Sequence, residues 1–259
     1  MVDITAAKPF YSVLVLAFFC SLMVSGAAVG LRPLQEENKL LDRKKNILLA
    51  AGLYQEKTPV DEQFTGIETR IVELESGEFV TPETITPEKY DQINAAMSSD
   101  LGQPVNKEED IAGIRRIEKY SLVYLVLEND SIQRVILPVR GKGLWSTLYG
   151  YIAIDKDLTT VQGISFYEHG ETPGLGGEIE NPRWQSGWQG KKIYDESYEE
   201  AIRIGGKGDL QKDIHQVDGI SGATLTVDGV DDLITFWFGE NGFKPFLAQL
   251  KENGGKING

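Results

Sequence analysis

Ser121-Leu122-Val123-Tyr124-Leu125-Val126-Leu127 and Ile132-Gln133-Arg134-Val135-Ile136-Leu137 decide the fold. Both are short runs rich in β-branched and aromatic residues. They flank Asn129-Asp130, so they read as the two arms of a β-hairpin. The turn has no glycine, which leaves its type open. Two further runs, residues 149–154 and 161–167, flank another polar turn. Four consecutive strand segments predict a largely antiparallel sheet. Helical segments on either side of them make the fold class α+β rather than doubly wound.

C-terminal to the strands, Val227, Val230, Ile234, Trp237 and Phe238 recur at spacings of three, four, three and one. That predicts a helix starting near Thr224, with one buried face and a stop at Gly239. Its aromatics read as core. Residues 245–250 predict a last short helix, and the glycine-rich tail a frayed end. N-terminal to the strands, residues 34–52 predict a helix with a stripe of Leu40, Leu41, Ile47, Leu48 and Leu49, stopped by Gly52. Residues 56–86 read as irregular to strand-like. Thr86-Pro87 opens a short helix with threonine at the cap, and residues 98–110 read as a loop. There is no internal repeat and no low-complexity segment.

Residues 10–31 contain no charge and would span about 33 Å as a helix, enough for a bilayer core. Ser25-Gly26-Ala27 resembles a signal-peptide cleavage site. The weak n-region, with only Lys8, and the length of the run favour a retained anchor. Arg32, Lys39, Arg43, Lys44 and Lys45 follow the anchor, so the positive-inside rule alone keeps the large domain in the cytoplasm. The 259 residues carry 26 Lys+Arg against 39 Asp+Glu, a net charge of -13. That balance opposes nucleic-acid binding. Cys20 is the only cysteine and His169 and His215 the only histidines. An intrachain disulfide is excluded, a thiolate-held iron–sulfur cluster after residue 20 is excluded, and a zinc site is improbable.

The run Asp218-Gly219-Ile220-Ser221-Gly222-Ala223-Thr224 stands directly before the last long helix. Helix N-termini present unpartnered N–H groups and favour negative charge, so a phosphate at Thr224 would be welcome. Gly222 and Ala223 leave the hydroxyl open to another protein. The bland alternative is an ordinary N-cap, with Ser221 or Thr224 bonded to early helix N–H groups. The run resembles the Asp-x-x-Ser/Thr-Gly-Ala-Thr signature of proteins carrying covalent FMN. In that family a flavin transferase uses FAD to esterify FMN phosphate onto the last threonine, here Thr224.

Three upstream segments sharpen that reading. In Gly141-Lys142-Gly143-Leu144-Trp145, Trp145 can lie against an isoalloxazine ring or simply be core. In Glu168-His169-Gly170-Glu171-Thr172-Pro173-Gly174-Leu175-Gly176-Gly177, Glu171 and Thr172 can bond a flavin edge or ribityl hydroxyls, and Leu175 can cover a ring. This loop is not a dinucleotide fingerprint, because Ile179 stands where the third glycine belongs. In Gly205-Gly206-Lys207-Gly208, Lys207 can pair with a phosphate or be solvated surface; the Walker spacing is absent.

Together these segments resemble the C subunits of the Na+-translocating NADH:quinone reductases over nearly the whole chain. The G subunits of the Rnf electron-transport complexes share the last two motifs. The resemblance implies a single N-terminal transmembrane helix followed by a mainly antiparallel-sheet FMN-binding domain with flanking helices. Residues 1–33 would be the anchor, 34–120 a juxtamembrane helix and the N-terminal part of the soluble domain, and 121–259 the FMN-binding region. It implies covalent FMN on Thr224, contacts from Trp145, Glu171, Thr172, Leu175, Lys207, Ser221, Gly222 and Ala223, and transferase recognition through Asp218. It also implies a periplasmic domain on the bacterial inner membrane, against the flanking charges. The implied partners are the flavin-bearing B subunit, the iron–sulfur D and E subunits, and the flavin transferase during maturation. Electrons would pass from NADH to ubiquinone. A membrane-anchored assembly module without redox chemistry, or a reductase with a dissociable flavin, are the rival classes.

Overall fold

In the computed structural model, which describes residues 4–81, 85–129, 131–205 and 213–255, the chain begins as one helix, α1 (Ile4–Ala50). The anchor and the helix expected after it run together through Pro33. No glycine or capping side chain separates Leu31 from Leu34, and a single proline removes only one helix hydrogen bond. By length and composition α1 is able to cross a membrane. Met1–Arg43 forms one unit and Lys44–Gly259 another. At its end Gly52 takes φ +66°, and the Leu53 N–H donates to the Leu48 carbonyl at 2.9 Å, a glycine-terminated stop. Ile47, Leu48, Ala50 and Ala51 are buried, whereas Leu40 and Leu49 of the expected stripe are exposed.

Then come α2 (Val60–Phe64), β1 (Ile67–Glu73), α3 (Gln92–Met97), β2 (Gly102–Pro104) and β3 (Arg116–Glu118). Thr86-Pro87 opens only a 3-10 turn, without a side-chain cap. The α-helix starts one step later, where the Asp91 carboxylate accepts from the N–H groups of Ile93 and Asn94. The expected loop over 98–110 contains β2, which pairs with β3.

The predicted hairpin is β4 (Tyr120–Glu128) with β5 (Ser131–Lys142), followed by β6 (Thr147–Asp155) and β7 (Val161–Glu168). Tyr124 pairs with Ile136 and Glu128 with Ser131. Asn129 takes φ +51° at the turn, a left-handed conformation asparagine tolerates. The sheet runs β1-β4-β5-β6-β7, antiparallel throughout. The remaining elements are α4 (Pro182–Ser186), the short parallel pair β8 (Arg203–Ile204) and β9 (Gln216–Val217), α5 (Thr224–Trp237) and α6 (Lys244–Glu252).

Alternation along the strands splits the core in two. Val123, Leu125, Val135, Leu137, Val139, Leu148 and Ile152 cluster with Val230, Leu233, Ile234 and Trp237 of α5 and Phe246 and Leu247 of α6. Tyr124, Ile136, Tyr151 and Ala153 cluster instead with Ile47, Leu48, Ala50 and Ala51. The sheet is thus covered on one face by the C-terminal helices and on the other by the last turn of α1. This is the α+β class expected.

Candidate functional site

The site is built where α5 begins. Its first residue, Thr224, is exposed, and no side chain caps the helix. The ordinary N-cap alternative therefore fails: neither Ser221 nor Thr224 bonds an early α5 N–H group. Gly222 takes φ +76°, a conformation that favours glycine, and turns the chain into the helix. Thr224 shares a cleft of about 600 Å³ with Ser221, Asp218, Ile204, Gly205 and Asp228. The Asp218 carbonyl accepts from Trp184 Nε1 at 2.7 Å, fixing the start of the motif.

A buried carboxylate ties the other two segments to α5. Glu171 Oε1 accepts from the backbone N–H groups of Trp145 at 2.9 Å and Ser146 at 3.4 Å. Glu171 Oε2 accepts from Thr226 Oγ1 at 2.6 Å. Glu171 and Thr226 are both buried. Burial pushes the Glu171 carboxyl up, but the bonds from Thr226, Trp145, Ser146 and Leu144 outweigh it and hold it below the ordinary carboxylate value. The surrounding chain leaves room only for hydrogen atoms. A Cβ on Gly176 would lie 2.4 Å from Thr226 Oγ1, and one on Gly143 would lie 2.6 Å from Glu171 Oε1.

Several apolar side chains stand open around this clamp. Trp145 is 69% exposed although its backbone is held, and Leu144, Leu175 and Leu225 are exposed with it. The Thr172 carbonyl accepts from the N–H groups of Leu175 at 3.1 Å and Gly177 at 2.9 Å, which tightens the second loop. Leu175 lies against the threonine motif: its Cδ2 is 3.2 Å from where a Cβ on Gly222 would stand. Trp145, Glu171, Leu175 and Gly222 are therefore linked through contacts, and Thr224, Ser221 and Asp218 through the cleft. Ala223 is buried as the residue before the helix. The Thr172 side chain faces solvent. Lys207 lies outside the described residues. Thr226 is the residue that sequence reasoning missed. A hydroxyl on the apolar face of a helix needs a partner, and that was the available signal.

Residues 143–238 match the FMN-binding domain family. The chain is 46% identical over 250 residues to the Na(+)-translocating NADH-quinone reductase C subunit of Yersinia pestis, covering 95% of this chain and 93% of the relative. Its identity to the C subunit of Pseudomonas aeruginosa is 47% over 249 residues, covering 92% and 94%. Among solved structures, NqrC of Shewanella oneidensis superposes with a TM-score of 0.75 at 34% identity, covering 83% of this chain and 99% of that one. The C subunit of Parabacteroides distasonis gives 0.65 at 28% identity, covering 84% and 96%. The clamp and the open threonine stand in a fold and a sequence shared over most of the chain with these proteins, and the chain belongs to the family of C subunits of the Na+-translocating NADH-quinone reductases.

Proposed function

We propose that this chain carries electrons through an FMN esterified to Thr224, as the membrane-anchored C subunit of a Na+-pumping NADH:ubiquinone oxidoreductase. The observation that carries the reading is the Thr224 hydroxyl. It is exposed, bonded to no other group among the described residues, and set at an uncapped helix N-terminus beside a cleft of about 600 Å³. Such a terminus suits a phosphodiester.

Attachment would join Thr224 Oγ to the FMN phosphorus of FAD. The pyrophosphate P–O bond breaks, AMP leaves, and the hydroxyl proton passes to the transferase; no electron moves. Asp218, at the cleft rim, is the recognition residue for that enzyme. When bound, the isoalloxazine supplies the electron chemistry. The residues of the chain hold and shield it. Trp145 and Leu175 offer apolar faces, and Thr172 and Ser221 offer hydroxyls. Gly222 and Ala223 keep the approach narrow-sided and free of bulk. Glu171 keeps the Trp145 loop in register with α5. The described cleft lining carries Asp218 and Asp228; the partner proposed for the phosphodiester charge is Lys207, two residues beyond Gly205 in the sequence. In this reading α1 is a single-pass anchor in the bacterial inner membrane and the domain is periplasmic. Its neighbours are the B, D and E subunits.

The test is intact and peptide mass spectrometry of the chain expressed with a flavin transferase. The expected result is a gain of one FMN less one water, mapped to Thr224. An unmodified Thr224 would overturn the reading and promote a non-redox assembly role. Substitution of Trp145, Thr172 or Leu175 is expected to move the flavin spectrum or potential; no change in any of them would refute their assignment.

A further inference from the structure

A second cleft, of about 350 Å³, has Trp145 as a wall. Ile93 and Met97 of α3, Arg115, Lys142 and Tyr149 line it as well, and no acidic side chain among the described residues does. That is against the character of the chain, whose net charge is -13. Arg140 also reaches this cleft, but its charge is committed to buried Glu118 at 2.6 Å. Arg115 and Lys142 are different. Both are exposed, and among the described residues neither forms an ion pair.

Arg115 is held in place at a conformational cost. Its φ is +64°, in the left-handed region that disfavours a side chain. Asp110 maintains it, accepting from the Ile114 N–H at Oδ1 and the Arg115 N–H at Oδ2, both at 2.8 Å. Asp110 is thus spent on backbone, and among the described residues the guanidinium has no carboxylate partner. The same loop lies on the Lys142 stem, since a Cβ on Gly113 would come within 3.0 Å of Lys142 Cβ. Two unpaired cations are in this way gathered beside an exposed methionine and an exposed tryptophan. Met97 is 61% exposed.

We propose that this cleft is the docking site for an acidic segment of another subunit of the reductase, one that sets carboxylates on Arg115 and Lys142 and an apolar side chain on Met97 and Trp145. Charge complementarity selects that occupant. A free cation pair on a strongly acidic chain steers and registers a negative partner, and it repels nothing that the partner needs. The proposal rests on the reading of the Trp145 face as the flavin site, because it places the partner next to the cofactor it would exchange electrons with.

The experiment is zero-length carbodiimide cross-linking of the purified, assembled complex, with peptide mapping. An amide forms between Lys142 Nζ and a partner carboxylate while the carbodiimide takes up the water. The expected result is a Lys142 cross-link to an Asp or Glu of a different subunit, lost in Lys142→Arg. The paired variant Arg115→Glu/Lys142→Glu is expected to slow flavin reduction by NADH on the order of ten-fold at low salt, with the deficit shrinking as salt rises. Cross-links confined to copies of this chain would overturn the proposal. So would the absence of any Lys142 cross-link together with unchanged flavin reduction in the paired variant. Protein-bound flavin is measured on the same samples. Its absence refutes the flavin reading, whereas full flavin with the negative outcomes refutes only the docking site.

Discussion

Thr226→Val removes one hydroxyl and leaves the side-chain shape nearly unchanged, which makes it the sharpest probe of the clamp. The lost bond is the 2.6 Å contact to Glu171 Oε2, and both residues are buried. A buried carboxylate oxygen deprived of its donor costs about 1–3 kcal/mol. Glu171 keeps the Trp145 and Ser146 N–H groups on its other oxygen, so the cost should stay within that range rather than exceed it. The protonation linkage has a defined sign. The folded carboxyl lies below its ordinary value. Its contribution is therefore present at neutral pH and fades as pH falls from the ordinary carboxylate range through the folded value. Without Thr226 the folded value rises, and that acid-side fade shrinks. The assay is urea unfolding of the detergent-solubilised chain at pH 7 and in steps down to pH 3, with Thr226→Ser as control. Serine should recover most of the stability, because the hydroxyl is what matters. A valine variant as stable as wild type at pH 7 would refute the clamp as an energetic feature.

Thr224→Ala should fold with stability within about 0.5 kcal/mol of wild type, since its hydroxyl makes no bond among the described residues, yet carry no covalent flavin by mass spectrometry. Glu118→Ala strands Arg140 in the core, where the pair meets at 2.6 Å; urea unfolding should show a loss of about 3–5 kcal/mol. Gly229→Ala would drive a Cβ to 2.4 Å from the Lys142 carbonyl. A loss of about 1–3 kcal/mol is expected in the same assay, with lower flavin loading as α5 is pushed off β5. Trp145→Ala should leave unfolding nearly unchanged, because the ring is 69% exposed, while shifting the visible spectrum of the flavin-loaded chain.

The β4–β5 hairpin and the α5 face were legible because each is set by a local period: alternation in one and near-helical spacing in the other. Val227, Val230, Ile234, Trp237 and Phe238 are all buried as their spacing requires. β1 was harder to read. Ile67–Glu73 carries Glu68, Arg70 and Glu73 on an edge strand in which only Ile67, Ile71 and Val72 are buried, so no clean alternation marks it. The start of α3 was misplaced, because Thr86-Pro87 looks like a cap and Asp91 is the one that bonds. β2 exists only through its pairing with β3 and its close approach to the Ala96 carbonyl at Gly102, neither of which leaves a local pattern. At the site, the threonine motif and the two glycine loops could be singled out by residue type. That Glu171 spends its oxygens on Trp145, Ser146 and Thr226 could not, since Thr226 lies 55 residues away in sequence.

The way α5 is mounted bears on speed. The helix is fastened at three points along its length: Thr226 to Glu171, Gly229 against the Lys142 carbonyl, and Trp237 Nε1 to the Arg140 carbonyl at 2.7 Å. The last two lie on the same central strand. A cofactor esterified at its first residue would ride on the sheet itself, not on a loop. An electron hop is slowed by every coordinate that must rearrange when the charge changes, and a mount of this stiffness removes the protein backbone from that set. For such a cofactor the ring and the water around it would be left to reorganise, and the tempo of transfer would pass to whatever covers its exposed face.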